Sequence, residues 1–232
     1  STTTPARRVG SVEQPVMPPP NHYFDESPKS RSEERTIDVA LPDVSFTMRT
    51  DRGVFSHGRL DTGTAILLRE APPPPPAGTL VDLGCGAGSD ALAMAAAGLT
   101  VLAIDRDPAA LWALSATAAD LGLTIATSCA DVHTADGPWN ALTPEPGLGC
   151  FVDPSRRTGG SRTLAPESWS PPWSWVRCLA QRFPATGAKV APGIDHGALP
   201  PGTQTEWISV GGDLVEAGVW WGPLRDGAAT RR

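Results

Sequence analysis

The stretch from Thr79 to Ser89, Thr-Leu-Val-Asp-Leu-Gly-Cys-Gly-Ala-Gly-Ser, restricts the fold more than any other part of the chain. A short apolar run enters a turn where Gly84, Gly86 and Gly88 alternate, and an alanine-rich helical pattern starts at once. A strand that passes through such a turn straight into a helix is the first half of a βαβ crossover. Glycine lets the backbone turn tightly and lets a ligand approach with no Cβ in the way. The helix that follows points its first N–H groups at the same spot. This stretch therefore predicts both a parallel sheet and a nucleotide-type cofactor site.

The pattern downstream continues in that rhythm. Strands are expected at 79–83, 100–104, 124–128, 148–152 and 188–190, with helices at 89–97, 109–121 behind Pro108, and 171–183. Residues 206–210 and 213–221 form a hairpin about Gly211-Gly212. The expected fold is α/β: a doubly wound, mostly parallel Rossmann-like sheet with an antiparallel C-terminal hairpin. Upstream, residues 1–20 are too poor in apolar side chains to offset ordering entropy and read as a disordered arm. Residues 21–70 read as a small β-rich unit, with alternating strands at 36–41 and 44–49, a short strand from Val54, and a helix at 62–69 capped by Asp61. A Pro-rich linker at 71–78 leads to the main domain, 79–223, and residues 224–232 are a tail.

Bulk properties exclude some classes. A net charge of −6 over 232 residues argues against a strongly basic nucleic-acid footprint across the whole surface. No apolar run reaches membrane-spanning length, and the N-terminal stretch has no secretory pattern, so a cytoplasmic protein is expected. Four cysteines with no Cys-x-x-Cys pair argue against a zinc site, and Cys85, Cys129 and Cys150, in or beside expected strands, read as buried reduced thiols.

Asp82, Asp105, Asp131 and Asp153 fall in, at or just beyond the ends of the first four parallel strands, which is where ligands bind in such sheets. Asp105 follows Asp82 by 23 positions, close to the separation of a ribose-binding acid. Its alternative is a helix cap, but Asp107, directly before Pro108, is better placed for that. Gly86-x-Gly88-x-x-Ala91 fits a dinucleotide fingerprint. Yet an acid at Asp82 would repel a pyrophosphate and attract the ammonium of a methionine moiety, and no histidine is well placed for hydride chemistry. S-adenosylmethionine is thus the expected cofactor, held by Asp82, Gly84, Gly86, Gly88, Asp105 and Asp131, with no metal. Asp131 is either an acceptor for the adenine amino group or a turn acid. Asp153 and the carbonyl of Pro154 stand where an acceptor amine would meet the methyl group, and they are the catalytic candidates. Arg156, Arg157 and Arg162 either contact phosphates or form a solvated loop. Trp173 and Trp175 are two positions apart and cannot both face the core from one helix.

With these motifs assembled, the chain resembles the class I S-adenosylmethionine-dependent methyltransferases, through Val81-Asp-Leu-Gly-Cys-Gly-Ala-Gly88, Ala103-Ile-Asp-Arg-Asp-Pro108, Cys129-Ala-Asp131 and Phe151-Val-Asp-Pro154. Its two ends look like different relatives. Residues 22–88, with His22-Tyr-Phe24, Thr50-Asp-Arg-Gly-Val-Phe-Ser56 and Asp61-x-Gly63, are similar to small-subunit ribosomal RNA guanine-N2 methyltransferases. From about residue 89 the chain is similar to an actinobacterial methyltransferase group with a THUMP-like extension, through Phe151-Val-Asp-Pro-Ser-Arg-Arg157, Ser170-Pro-Pro-Trp-Ser-Trp175, Lys189-Val-Ala-Pro-Gly193 and Glu206-Trp-Ile-Ser-Val-Gly-Gly212. The join falls inside the glycine loop. The resemblance implies methyl transfer to a base amine of RNA, in an rRNA-type substrate. Asp153-Pro-Ser-Arg156 departs from the Asn-Pro-Pro-aromatic pattern of the guanine-N2 group. That departure keeps open a catalytically degenerate cofactor- or RNA-binding module, and a nicotinamide-dependent enzyme is the third reading.

Overall fold

The computed structural model describes residues 34–40, 45–51, 62–70, 78–133, 138–158 and 161–225. Residues 32–232 form one compact unit. The expected N-terminal arm, the short strand at Val54, the Asp61 cap and residues 71–77 of the linker lie outside the described residues.

Two antiparallel strands, β1 (Glu34–Ala40) and β2 (Ser45–Asp51), form the hairpin that the alternating pattern predicts. Ile37, Val39, Phe46 and Met48 are its buried face, while Thr36, Asp38, Ser45 and Thr47 are exposed. Helix α1 (Thr62–Glu70) follows. The glycine stretch then gives β3 (Thr79–Leu83) and α2 (Ser89–Ala96), and the chain continues with β4 (Thr100–Asp105), α3 (Pro108–Asp120) and β5 (Ile125–Cys129). After β6 (Leu148–Val152), two-residue strands β7 (Arg157–Thr158) and β8 (Ser161–Arg162) pair within the arginine-bearing loop. Helix α4 (Trp173–Arg182), β9 (Ala185–Val190), β10 (Gln204–Val210) and β11 (Asp213–Trp220) complete the described order. As expected, Asp107 caps α3, its side chain accepting from the Ala109 N–H at 2.9 Å.

The main sheet has seven strands in the order β10-β11-β9-β6-β3-β4-β5. Strands β9, β6, β3, β4 and β5 are mutually parallel. The fold is α/β and doubly wound, in agreement with the sequence. The hairpin enters the sheet by its second strand: β11 pairs antiparallel with both β9 and β10, so β10 is the edge. Burial explains the choice. Residues 216–220 of β11 are buried throughout and need cover on both sides, whereas β10 ends in exposed Ser209 and Val210.

Strand alternation assigns the two faces. Val81, Leu83, Cys150, Val152, Ala188, Val190, Ala217 and Val219 pack with Trp173, Val176, Leu179 and Phe183 around α4. The opposite face carries α2 and α3 over Val101 and Ala103, and α1 places Leu67 with Phe151, Ile208 and Trp220. The β1–β2 hairpin closes this second layer, since its buried face clusters with Leu111, Leu114 and Ala118. Thr117 on α3 staples it by accepting from the Arg49 N–H at 2.8 Å. Sheet order reverses between β3 and β6, which leaves a crevice beyond their carboxyl ends.

Candidate functional site

The loop after β3 is built from its own backbone. The N–H groups of Gly84 and Cys85 donate to the Ile104 carbonyl at 2.8 and 3.1 Å, which ties the turn to β4. Gly86 (φ +54) turns its N–H onto Asp105 Oδ2 at 2.8 Å, and a Cβ on Gly86 would meet no atom within 4 Å. Its outer side is therefore open cleft. Gly88 (φ +83) serves another purpose. A Cβ there would stand 2.3 Å from the Leu114 side chain, so this glycine lets α3 approach the loop.

A cleft of ≈ 260 Å³ opens over this loop, with Gly84, Gly86, Asp105, Asp131, His133 and Asp153 in its wall. Three of the four predicted acids thus meet there. Asp105 accepts from the N–H groups of Gly86 and Asp107, both at 2.8 Å, one on each oxygen. Each carboxylate oxygen has a further lone pair for an incoming hydroxyl. Asp131 accepts from the His133 N–H at 2.9 Å and still faces the cleft, so it is a turn acid and a wall residue at once. Trp175 stacks on His133 with centroids 6.3 Å apart, while its neighbour Trp173 is buried. Pro154 is buried behind Asp153.

Asp82 lies beneath the loop and is 2% exposed. Its Oδ2 has no hydrogen-bond partner among the described residues. Burial pushes its carboxyl well above the ordinary range, and the charges of Asp90, Asp153 and Asp105 push the same way. A buried acid surrounded by acids is poorly stabilised unless a cation arrives. Burial also raises the Cys85 thiol, with help from the Asp82 and Asp105 charges, so this cysteine is no thiolate nucleophile. Burial pushes Cys150 up to about 12. The expectation of buried thiols holds for Cys150 alone: Cys129, on the edge strand β5, is exposed and Cys85 is half-buried, while Cys178, on α4, is exposed as well. The described residues contain no metal-type cluster.

Sequence reasoning overlooked a group behind Asp153. Lys189 is buried on β9, and its Nζ lies 2.9 Å from Asp153 Oδ2, 2.6 Å from Thr64 Oγ1 and 3.6 Å from Glu216 Oε2. Burial works against the ammonium, but the carboxylates of Asp153, Asp90 and Glu216 outweigh it and hold the lysine above its ordinary range. Arg156 turns inward, its Nη2 at 3.2 Å from Glu216 Oε2. The side chains of Arg157 and Arg162 lie outside the described residues, although their backbones pair across β7 and β8. A signal for this group existed: Lys189 and Glu216 are charges inside otherwise apolar strands, where an ionised side chain needs a partner.

Residues 45–141 match the methyltransferase small domain model. Among curated proteins, the chain is 35% identical over 74 residues to the Bacillus subtilis protein YbxB, covering 32% of this chain and 37% of that one. It is 52% identical over 50 residues to ribosomal RNA small subunit methyltransferase C of Pseudoalteromonas translucida, covering 22% of this chain and 14% of that enzyme. The matches thus span well under two thirds of those relatives. In fold, the chain is similar to a T. thermophilus 16S rRNA N2 methyltransferase solved with AdoMet and guanosine, with TM-score 0.63 and 20% identity, over 85% of this chain and 53% of that one. It is also similar to a SAM-dependent methyltransferase from Agrobacterium tumefaciens, with TM-score 0.55 and 14% identity, over 84% and 72% of the two chains. No described helix is long and apolar enough to cross a membrane. The matched model and the curated relatives, together with the sheet and its glycine loop, make this chain similar to the class I S-adenosylmethionine-dependent methyltransferases, the small-subunit ribosomal RNA enzymes among them.

Proposed function

We propose that the chain transfers the methyl group of S-adenosylmethionine to an amine nitrogen of an RNA base. The observation that carries this reading is the placement of two kinds of acid around one glycine loop. Asp82 is buried, crowded by carboxylates and unpartnered at Oδ2, which suits the methionine ammonium. Asp105 is pinned at the cleft wall with lone pairs left for ribose hydroxyls. Asp131 stands further along the wall for the adenine amino group.

When bound, S-adenosylmethionine supplies an electrophilic methyl on a sulfonium. What the protein adds is alignment and exclusion of water. Asp153 accepts an N–H from the incoming amine and so keeps the nitrogen lone pair directed at the methyl. With the sulfonium as the leaving group, which would keep the C–S bonding pair, the residue's further role would be to take the proton lost from the amine nitrogen and pass it to solvent. His133, in the cleft wall and backed by the stacked Trp175, offers a planar face for a base. The test is transfer of labelled methyl groups to fractionated RNA and protein. Label in RNA bases is the expected result, and label confined to protein would refute the proposal.

A second reading has one observation in its favour. Arg156 is drawn into the ion pair with Glu216 and away from phosphate binding. In that case the chain binds cofactor without methylating RNA: calorimetry shows S-adenosylmethionine binding and the transfer experiment shows no label in RNA.

The ribose acid gives a direct check. Asp105→Ala is expected to weaken S-adenosylmethionine binding by about 2 kcal/mol, the worth of a charge-assisted hydrogen-bond pair. It also frees the Gly86 N–H. Calorimetric affinity equal to wild type would remove Asp105 from the site.

A further inference from the structure

Asp153 is 34% exposed, and its two oxygens have different surroundings. Oδ2 is taken by Lys189 Nζ at 2.9 Å, while Oδ1 has no protein hydrogen-bond partner among the described residues. The groups facing this pair come from every packed element: Thr64 on α1, Asp90 on α2, Asp82 on β3, Glu216 on β11, and Arg156 through its hold on Glu216. Thr64 and Glu216 leave the ammonium in a fixed place, and an ammonium is a donor with no acceptor capacity.

We propose that Lys189 is a positioning residue: by occupying Asp153 Oδ2 it fixes Asp153 so that a single, acceptor-only oxygen faces the cleft, and the site favours groups that offer a hydrogen-bond donor there, such as the N–H of a base amine, over groups that offer only an acceptor. This rests on the methyltransferase reading above. The lysine remains charged because the surrounding carboxylates outweigh its burial.

The geometry has a consequence that mere structural support does not share. In Asp153→Asn, Lys189 still demands an acceptor, so the amide must turn its oxygen inward and its NH₂ toward the cleft. That NH₂ meets the N–H of the incoming amine donor to donor. Removing Lys189 in the same chain frees the amide to rotate and restore an acceptor to the cleft. The second substitution should therefore repair the first. Neither change strands Glu216, which keeps Arg156 at 3.2 Å.

The experiment measures methyl transfer from labelled S-adenosylmethionine to in-vitro-transcribed small-subunit ribosomal RNA, with kcat and KM for the RNA read separately. The variants are Asp153→Asn, Asp153→Asn/Lys189→Met and Asp153→Asn/Lys189→Gln, with calorimetric cofactor affinity on each. Asp153→Asn should fall about 100-fold in kcat/KM with cofactor affinity unchanged, and at least one double variant should regain about tenfold over it. The Gln variant offers the amide an acceptor and tolerates burial of its polar end. If both double variants are no more active than Asp153→Asn, the proposal is overturned. A wild-type chain that transfers no methyl to RNA overturns the function reading first, and this inference with it.

Discussion

Replacing Trp173 by alanine is expected to cost about 3–5 kcal/mol of folding stability, the range for truncating a large buried aromatic residue. Trp173 is 1% exposed at the start of α4. Its ring sits edge-on to Trp169 at 6.3 Å and tilted against Trp221 at 5.8 Å, so one truncation removes two aromatic contacts. Its Nε1 also donates to the Ala198 carbonyl at 2.9 Å, and that carbonyl would lose its partner. A loss of this size is a large share of the roughly 5–15 kcal/mol that holds a typical domain together. Urea denaturation followed by circular dichroism measures it, with Trp175→Ala as the contrast. Trp175 is half-buried and stacks on exposed His133, so its loss should cost about 1 kcal/mol. Equal losses at the two positions would mean that α4 is not seated on the sheet as described.

The helix and strand pattern was legible from local chemistry. Thr79–Leu83 and Leu148–Val152 were readable to the residue because each is an apolar run bounded by turn residues. The β9 strand begins at Ala185, three positions before the expected 188. Thr186 and Gly187 carry no apolar signal, and Gly187 is there because Trp220 lies 2.5 Å from where its Cβ would be. That constraint comes from a strand more than thirty positions away. The site divides in the same manner. Asp105 and Asp131 were legible because strand ends are fixed by local pattern. The partnership of Lys189, Thr64, Asp153 and Glu216 was not, since it joins four separate elements across the sheet.

The stretches before and after the glycine loop depend on each other. Ile37, Val39, Phe46 and Met48, which precede it, cluster with Leu111, Leu114 and Ala118, which follow it. Leu67 likewise packs against Trp220 and Ile208. Neither stretch buries its apolar face alone. Lys189 reaching Thr64 at 2.6 Å carries the same dependence into the candidate site.

Asp82→Asn is expected to weaken S-adenosylmethionine binding by on the order of 2–5 kcal/mol, the cost of removing one charge from a buried pair, while making the free protein more stable. The two effects have one source. In the free chain Asp82 is buried, and Asp90, Asp153 and Asp105 add repulsion, so its folded carboxyl titrates well above the unfolded value of 3.8. The folded state therefore holds its proton longer than the unfolded state does. Stability from this group is full below the unfolded value and is lost as pH rises through the folded one. Asparagine has the same shape and nothing to ionise, so the variant should gain melting temperature over wild type as pH rises through that window. The cofactor's ammonium reverses the balance, because it favours ionised Asp82. Binding to wild type should release a proton and tighten with pH across the same window, and binding to the variant should do neither. Calorimetry in buffers of different ionisation enthalpy reads the proton, and melting curves from pH 5 to pH 8 read the stability. A variant that binds as tightly as wild type would show that Asp82 supports the loop by its shape rather than receiving the cofactor by its charge, and one that melts lower at pH 8 would show that the buried carboxylate does not destabilise the free fold.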